Sequence, residues 1–148
     1  MASQNATQKF GANVLVVSEL LTGGSTVTLA AGIDMRDYNK IGVLAAVAAL
    51  AGAGMTKLEI IASASANMGT PAVIKDSGTI AADAVDDQAF EECTASEIAQ
   101  AETDGGVALR YASPRVTLDN TSDAVMATMI CEPRVGRDDL TPATTIAE

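Results

Sequence analysis

Histidine is absent from the 148 residues. Ser-His-Asp and Cys-His nucleophile arrangements are therefore impossible, and so is any imidazole metal site. Cys93 and Cys131 are the two thiols. They lie far apart in sequence, show no C-x-x-C spacing, and would need some other activating base to act as nucleophiles. Two buried free thiols, each packing as a small apolar group, is the favoured reading. A single disulfide is the alternative.

Carboxylates cluster at Asp83, Asp86, Asp87, Glu91 and Glu92. Hard cations such as calcium take six to eight oxygens, but the D-x-D-x-D-G order of an EF-hand loop is missing. A solvated acidic rim is favoured over a cation site. Asp119 and Asp123 bracket Asn120 and read as a turn rather than an ion clasp. The segment GAGMTK at 52–57 has glycine and lysine without the G-x-x-x-x-G-K-[ST] spacing that cradles a phosphate. Aromatic platforms for stacking a sugar are scarce, since the aromatics are Phe10, Tyr38, Phe90 and Tyr111. No catalytic residue, cofactor or metal site is expected, and the chain does not read as an enzyme.

The elements that must carry these residues are mostly strands. Residues 14–21 (VLVVSELL) and 27–29 flank Gly23-Gly24 and suggest a hairpin. The apolar run 41–50 is ambiguous between helix and strand. Its alanines favour helix, but Gly42 near its start and the GAG turn at 52–54 favour a buried strand. Residues 57–64 pair with it and place Leu58, Ile60, Ala62 and Ala64 on one face. Residues 67–71 are turn chemistry, 72–75 and 78–82 are short extended pieces, and 85–93 read as a rim strand or loop. Thr94 and Glu97 match a capping box, which predicts one short helix over 95–102, with Ile98 and Ala101 facing inward. Residues 107–112 and 115–118 are extended, and 124–131 (AVMATMIC) form another buried strand. Short strands separated by turn signals favour a mainly β fold, an antiparallel sandwich, jelly-roll-like or a barrel, with one short helix. The chain divides into an N-terminal arm (1–12), a β-rich domain (13–134) and a polar C-terminal tail (135–148).

Composition points to a partner. Apolar residues make up 48% of the chain, but only four residues are aromatic. A large aromatic buries roughly 150–250 Å², so a core of small side chains depends on backbone pairing, close layers or burial against other chains. A homo-oligomer is expected. The net charge of −10 repels phosphate backbones, so nucleic acid is not an expected partner. The first ten residues, MASQNATQKF, lack the apolar stretch of a secretory leader. The longest uncharged run, 41–56, is short of the ~20 residues of a membrane span. Cytoplasmic synthesis and no membrane partner follow as expectations.

Three stretches carry a resemblance. The first is Val27-Thr28 with Ile33-Asp34-Met35-Arg36-Asp37-Tyr38-Asn39-Lys40-Ile41-Gly42-Val43, a polar segment that launches an apolar strand. The second is Leu58-Glu59-Ile60-Ile61-Ala62-Ser63-Ala64. The third is Tyr111-Ala112-Ser113-Pro114-Arg115-Val116-Thr117-Leu118 with Ala124-Val125-Met126-Ala127-Thr128-Met129-Ile130-Cys131-Glu132-Pro133-Arg134. Across 25–134 the chain resembles small head-associated proteins encoded near the major capsid gene of tailed phages. The resemblance implies a decoration (cement) protein on the capsid exterior, made in the host cytoplasm. It implies the major capsid protein as partner and a trimer at local threefold positions. The extension beyond Glu132-Pro133-Arg134 departs from that pattern. Candidate contacts are Lys9 and Phe10 of the arm, Arg36 and Tyr38, and Arg134, Arg137, Asp138 and Asp139 near the tail, together with the acidic rim 83–92. Another virion role (tail tube, neck or fibre base) and a cation- or carbohydrate-binding sandwich are the alternatives.

Overall fold

The structure is a computed structural model that describes residues 6–10 and 14–134. Ten strands, a single 3-10 turn at Met35–Asp37 and one helix follow in the order β1 (Ala6–Phe10), β2 (Val14–Thr22), β3 (Thr26–Thr28), β4 (Ile33–Asp34), β5 (Tyr38–Ala49), β6 (Met55–Ser63), β7 (Ala72–Asp76), β8 (Gln88–Thr94), α1 (Ala95–Gly105), β9 (Tyr111–Leu118) and β10 (Ala124–Pro133). The first sheet runs β1-β2-β10-β5-β8, and the second runs β3-β9-β6-β7 with β4 also on β9. All pairings are antiparallel. The two sheets pack as a β-sandwich, as the strand spacing predicts.

The run 41–50 is strand despite its alanines. Ile41, Val43, Ala45 and Val47 are all buried between the sheets, at the period of two that a strand imposes. Leu58, Ile60 and Ala62 of β6 face them from the second sheet and join the same core, with Val116 and Leu118 of β9 and Val125, Ala127 and Met129 of β10. Ala64 falls beyond the end of β6 and is exposed. Alanines 45, 62, 112 and 127 are wholly buried, so methyl groups fill positions that large side chains occupy in most sandwiches.

Helix α1 starts on the predicted box. The Thr94 hydroxyl accepts from the Glu97 N–H at 3.3 Å, and the Glu97 carboxylate accepts from the Thr94 N–H at 2.8 Å. The helix runs three residues past the expected end, because Gly106 rather than Gly105 takes the left-handed cap (φ +64°). Ile98 is buried and Ala101 packs against the core.

Three expectations are corrected. Residues 57–64 do not pair with 41–50: β5 pairs with β10 and β8, and β6 pairs with β7 and β9 in the other sheet, because the buried faces of both strands are opposed across the core rather than joined at an edge. Residues 14–21 and 27–29 do not form a hairpin. β2 pairs with β10 and β3 with β9, so the Gly23-Gly24 turn carries the chain from one sheet to the other. Burial decides this: Leu21 and Leu29 both end between the sheets, as a corner allows and a flat hairpin would not. Within the N-terminal arm, Ala6–Phe10 pair along β2 as an outer strand. Residues 107–110 precede β9 rather than belonging to it, and β9 is continuous through Pro114. A proline is tolerated in this inner strand because residues 113 and 114 lie opposite the break between β3 and β4, where no ladder partner waits. The Ser113 hydroxyl fills part of that gap by accepting from the Leu29 N–H.

Candidate interaction face

The strands of the first sheet carry apolar residues on both faces, and only one face meets the second sheet. Alternation fixes which side chains point away: Val14, Val16, Ser18 and Leu20 of β2; Met126, Thr128 and Ile130 of β10; Gly42, Leu44 and Ala46 of β5; Phe90 of β8. Register aligns them in rows. Val16, Ile130 and Gly42 share one row, Ser18, Thr128, Leu44 and Phe90 the next, and Leu20, Met126 and Ala46 a third. Leu20 is 48% exposed, Leu44 37%, Phe90 56% and Ile130 48%. Gly42 leaves room for the Phe90 ring, since a Cβ there would sit 3.3 Å from the ring. Ser18 and Thr128 hydrogen-bond to each other through their hydroxyls at 3.0 Å, so the polar atoms in the middle of this face are already paired.

The charges stand at its margins. Glu92 pairs with Lys40 at 2.6 Å, and Glu132 lies opposite Lys40 at the end of the sheet. β8 is one edge strand of this sheet, with Glu92 on the outer side and Glu91, opposite Val43, on the side of the sheet that faces the core. The rest of the acidic segment is turn and rim. Asp87 accepts from the Ala84 N–H, and Asp83 and Asp86 are exposed. Among the described residues no three His, Cys, Asp or Glu side chains converge as metal ligands, and no helix is long and apolar enough to cross a membrane.

The outer side of the second sheet has the opposite character. Arg115 of β9 reaches the buried Glu59 of β6 at 2.6 Å, Lys57 reaches Glu59 at 3.1 Å, and Lys57 also reaches Asp76 at 2.8 Å. The Arg115 guanidinium holds the Glu59 carboxyl below its ordinary value of 4.5, and Lys57 does the same to Asp76. Asp34, bonded first by Arg110 and then by Arg36, is held well below the usual carboxylate range. Depressed folded-state values stabilise the fold at pH above the unfolded values near 4, and that stability is lost as pH falls through the folded values. The melting temperature is therefore expected to be flat from pH 7 to about 5 and to drop steadily below about 4. A fluorescence or circular-dichroism melting series checks this, and a plateau extending to pH 2 would contradict the role of these pairs.

The residues expected as contacts do not gather on the apolar face. Arg36 lies on the 3-10 turn, exposed and bonded to Asp34. Tyr38 opens β5, and burial raises its pKa. The Arg134 N–H donates to the Asp37 carbonyl at 3.0 Å, which brings Arg36, Tyr38 and Arg134 to one end of the sandwich. Lys9 and Phe10 lie in β1, at the far edge of the first sheet, in register with Leu15 and Val14. Arg137, Asp138 and Asp139 fall outside the described residues. Cys93 and Cys131 are free and buried on either side of Ile41, and burial pushes both thiols up to about 12.

The sequence reading passed over Leu20, Leu44, Phe90 and Ile130. A signal for them was present. Strands that are apolar on both faces suit a sheet covered on both sides, but an antiparallel two-layer sandwich covers only one. Comparison of the chain with known protein families, curated proteins and solved structures finds no match.

Proposed function

We propose that this chain is a non-enzymatic structural protein of a virus particle. On this reading it is a tailed-phage head decoration protein that binds the capsid exterior and bridges capsid subunits as a trimer. The observation that carries the reading is the uncharged apolar outer face of the first sheet. Four strands at the usual spacing give it roughly 400–500 Å², in the range of the largest apolar patch on a soluble monomer, which is often functional. A standard interface takes about 800 Å² from each partner, so the face would form the centre of a contact and the charged margins its rim.

Charge narrows where contact forms. Two copies that each carry −10 repel across most of their surfaces, and this face is where carboxylates are kept to the border. The sequence resemblance across 25–134 supplies the capsid as the shell to be bridged. The test is to mix the purified chain with undecorated capsids and measure co-sedimentation, with light scattering on the free protein. Saturable binding at a fixed ratio to capsid subunits, with a trimer in solution or on the shell, is expected. A folded protein that fails to bind at micromolar concentration rules the role out.

A further inference from the structure

The two ends of the apolar face are charged unequally. One end carries Lys40, Glu92 and Glu132, from β5, β8 and β10, a formal charge of −1. At the other end the acidic turn before β8 closes on β5. The Asp86 N–H donates to the Val47 carbonyl and the Val47 N–H donates to the Asp87 carbonyl, both at 2.9 Å. With Asp83 exposed in the same turn, that end carries −3, and residues 81–88 include no lysine or arginine. Between the two ends the outward side chains of β2, β10 and β5 are uncharged: 16, 18 and 20; 126, 128 and 130; 42, 44 and 46.

We infer that in the free protein this face is covered by a second copy of the chain, laid face to face with its strands antiparallel to those of the first. The surface is the one assigned above to the capsid, so the pair must open before the face can meet a shell. The pairing itself needs no capsid. Charge selects both the face and the orientation. Elsewhere two copies meet carboxylate against carboxylate, whereas here the centre of the contact is neutral. A twofold axis running across the strands, through the row of Ser18, Thr128 and Leu44, sets the −1 end of each copy against the −3 end of the other. It also turns Lys40 toward the 83–87 turn of the second copy. An axis along the strands would instead set three carboxylates against three, which costs more. The centre suits burial, because the Ser18 and Thr128 hydroxyls bond to each other and are not stranded when an apolar sheet covers them. Area sets the strength. Two faces of roughly 400–500 Å² bury about 800–1,000 Å² together, below the standard interface and in the weak, reversible class. Repulsion between the borders remains, so the pair tightens as salt screens it.

Sedimentation equilibrium on the full-length chain tests this. The average mass should rise from one copy to two and no further, with half-association at roughly 0.1 mM, as so small an interface implies. Raising the ionic strength from about 0.01 to 0.1 M shortens screening from about 30 to 10 Å and should tighten the pair about threefold. Leu44→Asp should weaken it at least about tenfold, as loss of a central anchor does, and Val73→Asp on the second sheet should not. Orientation is read by cross-linking with a short bis-maleimide, since the native thiols are buried. The axis places Ile130 of one copy over Met126 of the other and leaves the two Ile130 residues offset by four residues, about 14 Å, so a mixture of Ile130→Cys and Met126→Cys should link at least about fivefold faster than either variant alone. A monomer up to about 1 mM, a trimer in solution, association weakened by salt, or Ile130→Cys linking to itself as fast as the mixture would overturn the inference. Capsid binding by a chain that stays monomeric would sink the pair and leave the decoration role standing. A pair that forms in a chain that ignores capsids would do the reverse.

Discussion

Leu44→Asp with Ile130→Asp is expected to lower the affinity for capsids by at least about 100-fold while the fold survives. Both side chains point out of the first sheet from neighbouring central strands. Each replacement removes an apolar anchor and asks the contact to bury an unpaired carboxylate, which costs 2 kcal/mol or more at the centre of an interface. In the free protein the same positions are only partly covered, at 37% and 48% exposed, so the two changes together should cost about 1–3 kcal/mol of stability and leave the protein folded. Val73→Asp on β7 is the matched control, an exposed apolar residue of the second sheet, and it should leave binding unchanged. Co-sedimentation with undecorated capsids, read beside melting temperatures, decides the matter. Full occupancy by the double variant would show that the apolar face is not the contact.

Asp123→Ala is expected to lower the melting temperature by about 10 °C or more. The Asp123 side chain is enclosed in the turn before β10 and accepts from the backbone N–H groups of Ala51, Gly52, Gly54 and Asn120. The donation from Ala51 contributes most to holding its pKa below the ordinary carboxylate value. One carboxylate thus ties the β5–β6 loop to the β9–β10 turn. Alanine would leave several enclosed donors without partners, each a substantial penalty, and a domain of this size loses a few degrees per kcal/mol. Asp123→Asn should fall between, since its amide oxygen can accept some of these bonds but its NH2 cannot. Thermal melts by circular dichroism test this, and an alanine variant as stable as the parent would remove the clasp from the account.

How much was legible follows from the range of each signal. The capping box at Thr94 and Glu97 is local, and the helix begins there. The period-two burial of Ile41 to Val47 is local too, and it outweighs alanine's helical preference once a second sheet supplies burial. The Gly23-Gly24 corner is not local, because whether β2 and β3 pair depends on β9 and β10, a hundred residues away. Asp123 carries only the mark of a turn in sequence, since its four donors come from two loops that the fold brings together. The apolar face needed two facts at once: strands greasy on both sides, and a layer count that covers one.

The edge strand β8 has a consequence for growth. A sheet with an open border can recruit further strands sideways without limit, ending in a fibre. Here that border carries two consecutive carboxylates, Glu92 on the outer side and Glu91 on the side turned toward the interior. A like border approaching it would bring acid against acid and push one of the pair toward a poorly hydrated layer. Lateral addition at this border is discouraged from both faces of the ribbon, so growth of the first sheet past β8 is disfavoured.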